Sequence, residues 1–314
     1  MTEQSESGAE QHMLQEVLDG LNKEQKTLSP KYFYDHEGSE LFHQITQLDE
    51  YYITRTEKKI LDDNLNDIVQ TLGEKVLLIE PGSGNSEKTR LLLSSLRKMS
   101  GYIPMDISGE FLFKSADLLQ EEYPNIAIVP IQVDYTKPFE LPDFPNECHR
   151  VVFFPGSTIG NFTQQKVIDF LKVVHGLIED NGAFFLGVDL IKDREVLKAA
   201  YNDHEGITAR FNKNILKHIN DELDADFDLD AFEHKAIFNE DKDRIEMHLF
   251  SMKEQVVHLD GETISFEKGE SIHTENSHKY SVESFRKLVE PWFEIHKVWT
   301  DEKDYFGLFY LTPK

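Results

Sequence analysis

"LLIEPGSGNSEKTR", residues 77–90, joins an apolar run that ends in an acid to a glycine turn and a segment with helical character. Gly82 and Gly84 stand two positions apart directly after the apolar run. This order is typical of a strand, a tight turn and a helix whose backbone approaches a bound nucleotide closely. The two glycines alone do not distinguish a dinucleotide from a nucleoside without phosphates.

The position of a third glycine separates these two ligands. Dinucleotide folds use the pattern G-x-G-x-x-G, and counting from Gly82 places Glu87 where the third glycine would stand. A carboxylate at the mouth of a pyrophosphate site repels the ligand, so a nicotinamide dehydrogenase is disfavoured. Asn85 or Ser86 is predicted to cap the helix that follows.

The pattern around this stretch indicates an α/β fold. Apolar runs and amphipathic segments alternate from residue 75 to residue 190, which predicts a parallel sheet covered by helices on both faces. Residues 193–233 have helical periodicity. From residue 235 to residue 281 polar and apolar residues alternate between turn signals, which predicts antiparallel strands.

Three acids are predicted to end neighbouring strands of this sheet: Glu80, Asp106 and Asp134. The carboxyl edge of an open α/β sheet is where ligands bind. Asp106 could accept both hydroxyls of a ribose, and Asp134 could accept from an adenine amino group. Such a set suits S-adenosylmethionine, a sulfonium nucleoside without phosphates. The alternative is that these acids only cap the helices that follow.

Composition limits the classes of partner. The chain has 314 residues and a formal net charge of −25, which disfavours nucleic acid and anionic membranes as partners. Its single cysteine, Cys148, cannot form an internal disulfide. No apolar run is long enough to span a bilayer, and residues 1–12 are polar and expected to be disordered. We expect a cytoplasmic monomer with a small-molecule partner.

A metal site is not predicted. Five histidines lie between residues 230 and 280, but no HxH or HxxxH pair occurs among them, and the cysteine is remote in sequence. These histidines are His234, His248, His258, His273 and His278.

Several blocks of the chain together resemble one family, the histidine-specific S-adenosylmethionine-dependent methyltransferases, which are the L-histidine Nα-methyltransferases of ergothioneine biosynthesis. The resemblance covers nearly the whole chain, and its most specific blocks are the glycine turn and "PGSTIGN". The blocks are "KYFYDHEGSELFHQITQLDEYYITRTE", "EPGSGNSEKTRLLL", "FFPGSTIGNF", "GVDLIKD", "AYND", "FDLDAFEH", "RIEMHLFS" and "IHTENSHKYS". One departure is Asn85, where members of the family often have threonine.

The resemblance implies a Rossmann-like class I methyltransferase sheet with a second, smaller α+β domain that binds the substrate. It implies a tail over 1–12, a helical part of the substrate domain over 13–60, and a cofactor-binding domain over 61–194. The remainder of the substrate domain would be 195–285, and 286–314 would close the methyltransferase domain. The implied reaction is trimethylation of the α-amino nitrogen of L-histidine, giving hercynine.

The resemblance also implies the residues that contact each ligand. The cofactor contacts carried over are Gly82, Lys88, Asp106, Asp134 and Tyr135. The amino-acid contacts carried over are Tyr51, Asn161, Tyr201, Glu275 and Ser277, with Tyr34, Phe42 and Met247 as further pocket walls. Asn161 and Tyr51 are the candidate catalytic residues among them.

The chemistry of these side chains is consistent with those roles. The amide of Asn161 offers a donor and an acceptor for an amino group and a carboxylate. Glu275 and Ser277 stand two apart on a predicted strand and face one side, where they could hold both nitrogens of an imidazole. Two alternative functions are that of an N-methyltransferase acting on another amino acid, such as tryptophan, and that of a non-catalytic nucleotide-binding subunit.

Overall fold

A computed structural model describes residues 3–84, 87–137, 139–144 and 148–314. The predicted helix cap at Asn85 or Ser86 lies outside these residues. The α-helices are α1 (Glu3–Leu21), α2 (His36–Ile45), α3 (Tyr52–Leu72), α4 (Glu87–Ser95), α5 (Gly109–Glu122), α6 (Gln164–Ile178), α7 (Arg194–Ala200), α8 (Ile207–Leu223) and α9 (Val282–Val289).

The strands fall into an early group that alternates with helices and a later group that follows α8. They are β1 (Lys26–Thr27), β2 (Val76–Pro81), β3 (Gly101–Asp106), β4 (Ile131–Gln132), β5 (His149–Phe154), β6 (Ala183–Asp189), β7 (Phe232–Asn239), β8 (Arg244–Ser251), β9 (Gln255–Leu259), β10 (Glu262–Phe266), β11 (Ser271–His278), β12 (Phe293–Thr300) and β13 (Phe306–Pro313).

The chain divides into two compact units. The first unit comprises Met1–Tyr52 and Lys192–Ser277, and the second comprises Ile53–Ile191 and His278–Lys314. The boundaries predicted after residues 60, 194 and 285 lie three to eight residues farther along the chain than these divisions.

The second unit is built on a seven-stranded sheet in the order β12-β13-β6-β5-β2-β3-β4. Strands β2 to β6 pair in parallel, whereas β13 pairs antiparallel with both β6 and β12. This confirms the predicted α/β fold with a parallel sheet. The chain first adds strands on one side of β2 and then on the other, so the ends of β2 and β5 meet at a topological switch point.

Apolar runs account for the interior of the second unit. Strands β2 and β6 are buried along their whole length, as expected for a sheet covered on both faces. Helix α6 places Val167, Phe170, Leu171 and Val174 on one face at helical spacing, and all four are buried in the same core as strands β5 and β6.

The first unit contains a four-stranded sheet, in the order β1-β11-β8-β7, and a β9–β10 hairpin. Strands β7 and β8 pair antiparallel, as the alternating pattern predicts. Helix α8 buries Phe211, Ile215 and Ile219, and the ring of Phe211 stacks on Phe33 with centroids 4.6 Å apart. Helix and strands therefore enclose an aromatic core of their own.

Residues 3–12 differ from the sequence prediction of a disordered tail. They belong to helix α1, which continues to Leu21. Glutamate, glutamine and alanine are strong helix formers, and the helix they start is anchored by Val17 and Leu21, both buried. Among the described residues no helix is long and apolar enough to cross a membrane.

Candidate active site

The glycine turn after β2 is a tight connection with left-handed backbone. Gly82 and Gly84 have φ of +67° and +50°. The N–H groups of Gly82 and Ser83 both donate to the carbonyl of Met105 on β3, at 2.7 and 3.1 Å. A side chain at Gly82 would begin 3.3 Å from the hydroxyl of Tyr135. Glycine is therefore required here by both conformation and space.

Asp106 and Tyr135 lie around this turn. Asp106 ends β3 and accepts from the N–H of Ser108 at 3.0 Å. Burial raises the pKa of Asp106, while hydrogen bonds from backbone N–H groups, including that of Gly84, act in the opposite direction. Burial and the charges of Asp106 and Asp134 raise the pKa of Tyr135, so its phenol stays protonated. The structure thus brings four of the five predicted cofactor residues together.

Asp134 has its own local partners. It accepts from the N–H and the hydroxyl of Thr136, at 3.1 and 2.5 Å, and lies 3.1 Å from the ammonium of Lys137. Partial burial acts to raise the pKa of Asp134, but the hydrogen bonds and the charge of Lys137 lower it overall. Asp134 is therefore ionised at neutral pH and can accept from a ligand.

Lys88, the fifth predicted cofactor residue, is the second residue of α4. Its ammonium forms an ion pair with the carboxylate of Glu57, whose side chain is fully buried. This cation is consequently neutralised by the protein, and the glycine turn presents less positive charge than a phosphate site would need.

Glu80 has an internal role instead of the predicted place at the ligand edge. Its side chain is buried, and it accepts hydrogen bonds from Tyr102 and Thr89. Burial raises the pKa of Glu80 to about 7, against the effect of those two hydrogen bonds. The carboxyl group thus joins β2 to β3 and α4.

The raised pKa of Glu80 gives stability a pH dependence. The folded state holds the proton of the Glu80 carboxyl more tightly than the unfolded chain does. The stability that this proton contributes is therefore fully present below about pH 4.5 and is lost as pH rises to about 7. Glu80→Gln removes the effect. Between pH 5 and pH 8, we expect the free energy of unfolding of the variant to rise relative to that of wild type by roughly 2–3 kcal/mol.

Chemical unfolding followed by tryptophan fluorescence measures this, because Trp292 and Trp299 both belong to the second unit. A stability difference between Glu80→Gln and wild type that stays constant from pH 5 to pH 8 contradicts the assignment.

Asn161 ends a short 3-10 helix, Thr158–Asn161, which follows β5. The preceding Ser157 is held in a left-handed conformation with φ of +59°, and its hydroxyl accepts from the N–H of Asp189 at 2.9 Å. The imidazole of His278 donates to the carbonyl of Gly160 at 2.8 Å. These bonds at both ends of the turn determine where Asn161 lies, at the switch point of the sheet.

In the first unit, most of the predicted amino-acid contacts form one continuous chain of side chains. Ring centroids are 5.8 Å apart between Tyr34 and Phe42, and 6.3 Å apart both between Phe42 and Tyr51 and between Tyr51 and Tyr201. The hydroxyls of Tyr201 and Ser277 are 2.7 Å apart. Tyr51, Tyr201 and Ser277 are buried, whereas Tyr34 is exposed at one end.

Glu275 and Met247 complete the predicted set. Glu275 is 8% exposed and shares β11 with Ser277. The carbonyl of Met247 lies 3.0 Å from the hydroxyl of Thr274, the residue before Glu275. Seven of the eight predicted amino-acid contacts therefore belong to the first unit, and Asn161 belongs to the second.

A buried polar network supports the backbone of Tyr201. His234 accepts from the amide of Asn212 at 2.8 Å and donates through its other ring nitrogen to the carbonyl of Tyr201 at 2.9 Å. Burial lowers the pKa of His234, so the ring is neutral, as this pair of bonds requires. The hydroxyl of Thr274 donates to Asn212 at 2.7 Å. Sequence periodicity could not have identified this network.

Two further residues take part in these contacts although their sequence positions do not point to a site. Phe211, in the segment predicted only to be helical, lies 5.7 Å from Tyr34 and 5.9 Å from Phe42 between ring centroids. Glu57 is a single acid on the buried face of α3, four residues after Ile53 and four before Leu61. A charge that interrupts an apolar stripe is the signal that could have found it.

Two of the histidines lie together although they are distant in sequence. His248 and His273 stack with ring centroids 4.7 Å apart, and ligand atoms of these two and Glu246 lie within 4.8 Å of one another. Arg244 and Asn239 both donate to Glu246. Burial lowers the pKa of His273 to about 4, so it is neutral. The absence of a metal remains a prediction.

Comparison with known proteins gives consistent matches. A family model described as "Histidine-specific methyltransferase, SAM-dependent" matches residues 13–313. Histidine N-alpha-methyltransferase of Mycolicibacterium smegmatis is 41% identical over 96% of this chain and 94% of its own length. Ergothioneine biosynthesis protein 1 of Schizosaccharomyces pombe is 28% identical over 82% of this chain and 35% of that protein.

A solved structure is similar in fold. The S-adenosylmethionine-dependent methyltransferase from Clostridium acetobutylicum superimposes with a TM-score of 0.51 at 10% identity, covering 87% of this chain and 97% of that one. The likeness agrees with the Rossmann-like class I architecture predicted from the sequence.

Proposed function

Because the chain belongs to the family of histidine-specific, SAM-dependent methyltransferases, we propose that it transfers three methyl groups from S-adenosylmethionine to the α-amino nitrogen of L-histidine. The product is the betaine hercynine, and the reaction is a step of ergothioneine biosynthesis. The observation that carries the proposal is the turn at Gly82, surrounded by Asp106 and Tyr135 and without an uncompensated cation at Lys88.

The second unit is proposed to bind the methyl donor. Asp106 would accept the ribose hydroxyls and Asp134 the adenine amino group, while the backbone of Gly82 would approach the ligand closely. Lys88 is a further proposed contact. S-adenosylmethionine supplies a methyl group that its sulfonium already activates, so no metal is needed in this proposal.

The protein's task is then to position and desolvate the amine. An amino group attacks only when it is neutral, and its reference pKa is close to 8. The amide of Asn161 can accept from the amine and donate to the carboxylate of the amino acid. Tyr51 and Tyr201 can donate to that carboxylate without adding a charge. Orientation of this kind is worth several orders of magnitude in rate.

The aromatic chain of the first unit suits successive methylation. Tyr34, Phe42 and Tyr51 present ring faces and edges in one continuous run. Each transfer makes the nitrogen bulkier and, after the third, permanently cationic. Aromatic faces attract such a methylammonium by cation–π contact.

Mass spectrometry tests the proposal directly. Histidine incubated with the protein and S-adenosylmethionine should gain one, two and then three methyl groups, and tryptophan under the same conditions should gain none. An unmodified histidine pool, or faster methylation of tryptophan, would reject the proposed acceptor.

Glu275 is expected to decide which amino acid is accepted. A buried carboxylate beside Ser277 suits a ring N–H with partial positive charge. Glu275→Ala should raise the KM for histidine about 10- to 100-fold, because one hydrogen bond to a charged group is lost. The Kd for S-adenosylhomocysteine, measured by calorimetry, should be unchanged.

Glu262→Ala, at an exposed position of strand β10 in the same unit, is the matched control and should leave both constants unchanged. Equal losses of histidine and S-adenosylhomocysteine affinity in Glu275→Ala would count against the ring contact.

A further inference from the structure

Glu57 is a buried acid whose carboxylate accepts three hydrogen bonds. It lies on α3 with its side chain fully buried, and both carboxylate oxygens are within 3.0 Å of the N–H of Gly156. The same carboxylate pairs with the ammonium of Lys88. One side chain therefore contacts the residue that opens the turn leading to Asn161 and the cation at the start of α4.

The fold makes room for this carboxylate at a cost. A methyl group on Gly187, in the middle of β6, would collide with Glu57 Oε1 and with the ring of Phe306. Glycine inside a strand weakens the strand, and removing a carboxylate from water costs several kcal/mol before its partners are counted. Two unfavourable features in one place favour a functional explanation over a purely structural one.

Both contacts of Glu57 lead to proposed ligand residues. Gly156 has a left-handed φ of +80°, and a side chain there would begin 3.6 Å from the ammonium of Lys88. Gly156 and Lys88 therefore lie against the same carboxylate at the ends of β5 and β2. These neighbouring strand ends carry Asn161 and the glycine turn, respectively.

We propose that Glu57 is a positioning residue that orients Lys88 for the cofactor and holds the turn of Asn161 for the acceptor amine. The proposal rests on the proposed function, which assigns the ligand contacts to Lys88 and Asn161. Glu57 itself acts through its two partners.

Glu57→Gln separates the two roles. A glutamine oxygen can still accept from Gly156, but the amide carries no charge to pair with Lys88. Affinity for S-adenosylhomocysteine should fall about tenfold, whereas the KM for histidine should stay within about twofold of wild type. Because Glu57 acts on the cofactor through Lys88, the double variant Glu57→Gln/Lys88→Met should bind S-adenosylhomocysteine no more weakly than Lys88→Met alone.

Glu57→Leu removes both contacts, so kcat/KM for histidine should also fall, by about tenfold or more. Circular dichroism and thermal melting establish that each variant is folded. If Glu57→Leu does not fold, the Glu57→Gln cycle decides the question alone. Glu74→Gln is the matched control, because Glu74 pairs with Lys98 in the same unit with both side chains well exposed.

Two results overturn the proposal. One is a Kd for S-adenosylhomocysteine in Glu57→Gln equal to that in Glu74→Gln. The other is a loss in the double variant that equals the product of the two single losses. Failure of the proposed function is a separate result, since it would appear in the wild-type protein as no S-adenosylhomocysteine binding or no methylated histidine.

Discussion

Replacing Asn161 with alanine is expected to lower kcat/KM for histidine by about a thousandfold. The amide is proposed to make two hydrogen bonds to charged or developing-charge groups of the acceptor, each worth about 1.5–3 kcal/mol. Without the amide, the acceptor amine is no longer held in line with the methyl group, and this loss of orientation by itself strongly reduces the rate of methyl transfer. Steady-state kinetics at saturating S-adenosylmethionine measures the effect.

The control for this variant is the same change on an exposed turn. Asn181→Ala should retain wild-type kinetics, because Asn181 is exposed and the substitution keeps the backbone carbonyl that bonds to His149. The Kd for S-adenosylhomocysteine in Asn161→Ala should change by less than about threefold, since the amide is proposed to contact the acceptor. Unchanged turnover of histidine in Asn161→Ala would show that the acceptor amine is held elsewhere.

Lys279→Met should cause the largest loss of stability in the second unit. The ammonium of Lys279 lies 2.6 Å from the carboxylate of Asp189, and both side chains are fully buried. Removing the ammonium takes this countercharge from a fully buried carboxylate, which costs about 3–5 kcal/mol. The melting temperature should fall by roughly 10 °C.

Tryptophan fluorescence during chemical unfolding reports on this unit. Lys287→Met is the control, because its pair with Glu283 is exposed, and it should change stability by less than about 0.5 kcal/mol. The double variant Asp189→Leu/Lys279→Met should recover most of the loss, since an apolar pair carries no desolvation penalty. Equal stability of Lys279→Met and Lys287→Met would mean that the buried pair contributes nothing.

The local sequence was sufficient to predict the sheet and the edge of the sheet where a ligand would bind. Strands β2 and β6 are continuous apolar runs, and a glycine turn directly after a buried strand has few structural alternatives. Asp106 and Asp134 could be placed near that turn because parallel strands end at a common edge. The acceptor residues, in contrast, were identified by family resemblance, since Tyr51 and Tyr201 are distant in sequence.

Contacts across long sequence distances explain what the sequence did not predict. Glu80 was expected to face a ligand, but Tyr102 and Thr89 hold it inside the protein. Which of several strand-end acids turns inward depends on partners that periodicity does not identify. The pairing of Glu57 with Gly156 spans 99 positions and was equally hidden.

The position of β13 has a consequence for biosynthesis. This strand pairs with β6 on one side and β12 on the other, yet it follows the whole first unit along the chain. During translation, β6 therefore remains an unpaired apolar edge while the residues from Lys192 to Tyr305 are being synthesised. An exposed edge of this kind is a template for pairing with other chains, so the nascent protein carries an aggregation-prone edge until β13 is in place.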